Sequence, residues 1–267
     1  MRASDRPHRF GYCVLAFFLV GCSRLTPPAE LPVASSLILD ELVIYSDFQF
    51  PDNHRLLMDL QEMRSRITEG LDLPPSDEPV EVYLFKTPRR YQKFLAHHYP
   101  QFPERRAFFV QTDTRLCVYT YWGDRIAEDL RHEVCHGYLH AAVPNIPLWL
   151  DEGLAEFYER DESAEGFHQE HIDLLVAARE RGDWQPQLAR LESLEKMEEM
   201  SELEYAEAWL WTHFLLQTTE WRKNLLRETL HTSRQKREAS LWQQLHLIEP
   251  DVSQQLLDHL AQLQSAD

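Results

Sequence analysis

The chain has 267 residues, with 27 basic against 44 acidic side chains and a net charge of −17. So large an acidic excess argues against nucleic acid and anionic membrane surfaces as partners. A hydrophobic content of 43% excludes a disordered chain and suits one large folded domain or two modest ones, and the scarcity of glycine in a Leu-, Glu- and Gln-rich sequence favours helix over an all-β fold.

Residues 1–21 read as an export signal. Arg2, Arg6 and Arg9 precede the stretch GYCVLAFFLVGC. Its roughly eleven apolar residues fall short of the roughly twenty that a bilayer core needs, but they suit a secretory segment. Leu19-Val20-Gly21-Cys22 resembles the lipobox of bacterial lipoproteins, which implies acylation of Cys22 as the first mature residue. More than one acyl chain on Cys22 would hold the protein stably to a membrane. Ser23 resembles the outer-membrane sorting pattern. The implied location is therefore outside the cytoplasm, lipid-anchored to a bacterial membrane, on the periplasmic face of the outer membrane in a Gram-negative host. Residues 22–35, with Pro27, Pro28 and Pro32, read as a tether. Once Cys13 leaves with the signal and Cys22 takes lipid, Cys117 and Cys135 remain, either as a disulfide or as two buried thiols.

Fold reasoning starts near residue 36. Residues 36–48 have strand composition with an acidic interruption. Leu56, Leu57, Leu60, Met63, Ile67 and Leu71 recur at helical spacing. Val80, Val82 and Leu84 alternate with Glu81, Tyr83 and Phe85, as in a strand. Residues 88–99 follow as a helix with Pro88 at its start. Residues 106–122 read as two short strands around QTDT. Asp124 stands where an N-cap belongs, and Ile126, Leu130, Val134 and Tyr138 mark a helix to about Ala142. Beyond residue 160 the pattern is helical throughout. The expected fold is α+β: a lobe at 36–160 with a small mixed sheet and helices, then an all-helical lobe at 161–267.

The helix near residue 130 carries RHEVCHGYLH, with His132, His136 and His140 four apart. Residues four apart share one side of a helix, so His132 and His136 can grip one metal ion. Glu133 then leans over the open side of the ion as a general base; this is the HExxH arrangement. His140 lies about 6 Å further along the axis, too far to join the same shell. Leu139 and Ala142 stand where families with a third downstream His place a Gly and that His, so this pattern fails too. A third ligand must come from elsewhere, and after the turn-forming Pro144, Asn145 and Pro147 a second helix brings Asp151, Glu152, Glu156 and Glu159. An antiparallel return would set Glu152 over the two rings, and two imidazoles with one carboxylate suit zinc.

His132-Glu133-x-x-His136 followed by Trp149-Leu150-Asp151-Glu152-Gly153-x-Ala155 resembles the gluzincin metallopeptidases. Together with RRAFFV and YAEAWLWTHFLL, it resembles the peptidase MA-like lipoproteins of bacteria, in patches over residues 80–216. The resemblance implies a zincin-like catalytic lobe holding one zinc ion on His132, His136 and Glu152, with Glu133 as general base. Glu156 is expected to orient a ligand histidine, ahead of Glu159. Tyr205, ahead of His213, is expected to stabilise the oxyanion. One of the strands AFFVQ and RLCVYTY is expected to pair with substrate backbone. No Gly-x-Met-Glu-Asn-like segment, which zinc aminopeptidases use to hold a free amine, stands upstream, so an endopeptidase acting on a peptide or protein is expected. The competing expectation is a non-hydrolytic zinc-containing lipoprotein that binds a partner in its cleft.

Overall fold

The computed structural model describes residues 30–51, 54–235 and 240–265. The expected signal, Cys22 and the first part of the tether lie outside the described residues. Among those described, no helix is long and apolar enough to cross a membrane.

The first strand expectation is corrected. Residues 36–48 are two strands, β1 (Ser35–Leu39) and β2 (Leu42–Ser46), paired antiparallel around Asp40-Glu41. The acidic interruption is the turn itself: Asp40 adopts φ 52°, a left-handed conformation that Asp tolerates better than most side chains. Helix α1 (Arg55–Leu71) follows and buries all six apolar residues named from its periodicity. Then come β3 (Val80–Phe85), α2 (Pro88–His98) with Thr87 as N-cap, β4 (Ala107–Gln111) and β5 (Leu116–Tyr121).

These strands form one mixed sheet in the order β1-β2-β3-β5-β4, with β2, β3 and β5 parallel and the outer strands antiparallel. Both faces are covered. Val80, Val82 and Leu84 join the main core, which also takes in the buried side of α1, while Tyr83 and Phe85 join a smaller aromatic core with Tyr91 and Phe94 of α2. The sheet also separates the two thiols. Cys117 lies in the aromatic core and Cys135 in the main one, and both are free and buried.

Helix α3 (Ile126–Ala142) carries the three histidines across the sheet, against β3, β4 and β5. Asp124 is not its N-cap; Arg125 takes that position without a side-chain cap, after a turn closed by Ile126 N–H on Gly123 C=O. The acidic first turn, with Glu128 and Asp129, complements the positive end of the helix, and Arg106 grips Asp129 through paired contacts. The chain turns at residues 143–147 and returns as α4 (Leu148–Tyr158).

From there the described residues are helical: α5 (Gln169–Arg181), α6 (Leu188–Leu191), α7 (Glu202–Gln217), α8 (Glu220–Arg234), α9 (Leu241–Ile248) and α10 (Val252–Ser265). A single core of buried side chains runs from Leu42 on β2 to Leu260 on α10, crossing the boundary expected near residue 160. Helix α4 lies in the middle of it, with α3 on one side and α7 on the other. Gly153 allows the second contact, since a Cβ there would lie 2.5 Å from the Ala208 carbonyl and 2.4 Å from Thr212 Oγ1. Gly153→Ala is expected to cost about 1–3 kcal/mol through overpacking, read as a lower thermal midpoint. An unchanged midpoint would mean that α4 and α7 separate without cost.

Candidate metal centre

The antiparallel return of α4 brings Glu152 over the histidine pair. His132 Nε2 and His136 Nε2 are 3.2 Å apart, and Glu152 Oε2 lies 3.7 Å from each. Ligand atoms about 2.0–2.1 Å from a tetrahedral ion stand roughly 3.3 Å from one another, so these three atoms could hold a metal ion with little movement. Glu152 is 2% exposed and His136 5%, which removes two of the three from solvent competition.

Each ring nitrogen that faces away from this triangle meets a carboxylate. His136 Nδ1 is 2.9 Å from Asp151 Oδ1, and His132 Nδ1 is 3.1 Å from Glu159 Oε2. The expected orienting residue, Glu156, is not at either position; its carboxylate lies 3.0 Å from His171 Nε2 on α5. The reason is rotational. Helix α4 turns the sides bearing Asp151 and Glu159 toward α3 and leaves Glu156 facing α5. Asp151 continues the chain of contacts to His140 Nε2 at 2.9 Å, and His140 Nδ1 reaches Gln111 Oε1 at 2.8 Å. The third histidine of the motif thus bridges Asp151 and the edge strand β4.

Electrostatics follow from this layout. Burial disfavours charge on His136, yet Asp151 and Glu152 push its pKa up to about 9. His132 is raised likewise against its burial, by Glu152 and Glu159. Burial would raise the Asp151 and Glu159 carboxyls, but the imidazoles beside them hold both well below the usual range. A cation entering the triangle must displace protons from the rings.

Glu133, next along α3, makes no hydrogen bond or ion pair through its carboxylate to another described residue. Burial raises its pKa, opposed by His132 and His136. It lines a cavity of about 460 Å³ together with His132 and Arg105. The Tyr205 hydroxyl on α7 is buried beside Arg105; burial and the Glu152 charge raise its pKa, while the Arg105 guanidinium opposes. His213 is elsewhere: its Nδ1 is 2.9 Å from His259 Nε2 on α10, and its ring packs on Phe157 and Trp209.

Beside the triangle, Phe109 of β4 stacks against His136 with ring centroids 5.9 Å apart. Strand β4 is the sheet edge and β5 is interior, so AFFVQ, not RLCVYTY, has a free backbone edge here. Sequence reasoning named Asp151 among four acids and Arg105 within RRAFFV without giving either a role, and it passed over His168 and His171. The last two carried a readable signal, two histidines three apart at a helix start. Arg105 carried none, being one of two adjacent arginines in a loop.

No protein-family model matches this chain, and no curated protein matches it.

Proposed function

We propose that this protein is a zinc-dependent peptidase of gluzincin type, an endopeptidase, tethered to a membrane through Cys22. The observation that carries the reading is the convergence of His132, His136 and Glu152 beside an uncommitted Glu133 in an open cavity. Two imidazoles and a carboxylate suit zinc and leave a fourth position open. Zinc, when bound, supplies Lewis-acid polarisation of a carbonyl and lowers the pKa of water. Glu133 takes a proton as water oxygen bonds to the scissile carbonyl carbon, and it delivers that proton to the departing amine as the C–N bond breaks. Tyr205, with its hydroxyl oxygen beside Arg105, donates a hydrogen bond to the oxygen that gains charge. The free edge of β4 offers backbone groups to an extended substrate beside His136.

The test is digestion of a mixed peptide library by the purified protein, with and without a zinc chelator. Internal cleavage that chelator abolishes and added zinc restores is the expected result. Bound zinc with no cleavage of any peptide would sink the hydrolase reading and leave the non-hydrolytic lipoprotein.

Asp151 gives a sharper check of the zinc site. Asp151→Asn keeps the shape but removes the charge that sustains the basicity of His136. Zinc affinity is expected to fall about 10–100-fold, measured by competition with a chromophoric chelator. An unchanged affinity would show that Asp151 serves only His140.

A further inference from the structure

We propose that Glu156, His168 and His171 form a second site for a divalent transition-metal ion, separate from the triangle of His132, His136 and Glu152 and opening onto the same cavity. His168 is the N-cap residue of α5 and His171 lies in its first turn, so their rings project to one side. Glu156 reaches them from α4. Its Oε2 is 3.0 Å from His171 Nε2 and 3.7 Å from His168 Nε2. One ligand atom from each residue falls within 4.8 Å of both others.

Three further observations favour an ion over a plain hydrogen-bonded cluster. The two imidazoles stack face to face, with centroids 3.8 Å apart and planes 19° apart, so both present Nε2 to the same Glu156 oxygen. His168 is 4% exposed; one nitrogen faces the carboxylates while the other, Nδ1, is buried without a partner. A second carboxylate, Glu159, lies 3.1 Å from His168 Nε2 through Oε1, so two negative charges face this imidazole pair. A dication answers those charges, and two nitrogens with one or two carboxylate oxygens match zinc-class ions. The same Glu159 touches His132 through its other oxygen, so it stands between the two sites. Glu156, His168 and His171 line the cavity that His132 and Glu133 line, so an ion has a way in.

The experiment counts zinc. Metal-free protein is titrated with Zn²⁺ against a chromophoric chelator, and metal after dialysis is measured by mass spectrometry. The wild type is compared with His136→Ala and with the double variant Glu156→Gln, His171→Gln, each checked for fold by circular dichroism. Two ions per wild-type chain, and one in each variant, is the expected result. One ion in the wild type and in the double variant, with none in His136→Ala, would overturn the second site and leave the first. One ion in the wild type and in His136→Ala, with none in the double variant, would uphold the second site and sink the first. Two ions in the double variant, or none in the wild type, would overturn the proposal. Should the double variant fail to fold, a wild-type titration that saturates at one equivalent and loses all zinc in His136→Ala overturns it equally.

Discussion

Glu133→Gln is expected to retain bound zinc at the wild-type stoichiometry and to lower peptide cleavage by about 10²–10⁴-fold. The substitution keeps the size of the side chain and removes its capacity to accept a proton. The contacts of His132, His136 and Glu152 do not involve the Glu133 carboxylate, so the metal has no reason to leave. Burial raises the pKa of Glu133 against the two imidazoles, which makes it a better base than an exposed carboxylate. Cleavage rates and zinc content should be measured on the same preparation. Wild-type rates in the variant would refute a general-base role, and loss of zinc would show that Glu133 supports the ligands after all.

The second large effect is on stability in acid, and it arises at His213 and His259, away from the cavity. Burial and the neighbouring His259 push His213 down to about 3; burial and Arg222 push His259 down to about 4. Phe157 and Trp209 pack on His213, and Phe214 packs on His259, so no carboxylate compensates within this contact. In the unfolded chain both rings titrate near 6.5. The unfolded state therefore takes up two protons over a range where the native state takes up none. Their contribution to stability is full above about 6.5 and is lost as pH falls toward 4. His132 and His136 have the opposite shift, and in metal-free protein their contribution is already complete below 6.5, so it does not mask the loss. Metal-free protein is expected to lose about 2–4 kcal/mol between pH 6 and 4.5, measured by urea unfolding. A double variant, His213→Gln with His259→Gln, should show a flatter profile; an equal slope would place the acid sensitivity elsewhere.

The convergence of His132, His136 and Glu152 was readable because its parts are local statements. Four residues on a helix bring His132 and His136 to one side, and a proline-rich turn followed by an acidic helix supplies the return. Which acids on that helix stand behind the rings was not readable. Asp151, Glu152 and Glu156 lie on α4 and Glu159 caps its C-terminus, and the choice depends on how α4 is rotated between α3 and α7. Gly153 fixes that rotation by close approach to Ala208, a contact more than fifty residues away in sequence. The β1–β2 hairpin was missed for a local reason: Asp40 takes a left-handed backbone that periodicity does not register. The shared core was missed because amphipathic stripes say that a helix has a buried side, not what covers it.

Helix α4 presents Glu152 to the histidines while Leu150, Leu154 and Phe157 sink into the common core that includes Trp209 and Leu210 of α7. A fragment ending near residue 165 would contain every ligand of the first triangle, yet it would strip the backing from the helix that aims the third. Such a truncation should be sticky and metal-poor. The downstream half behaves as the anvil against which the binding geometry is struck, rather than as a detachable appendage.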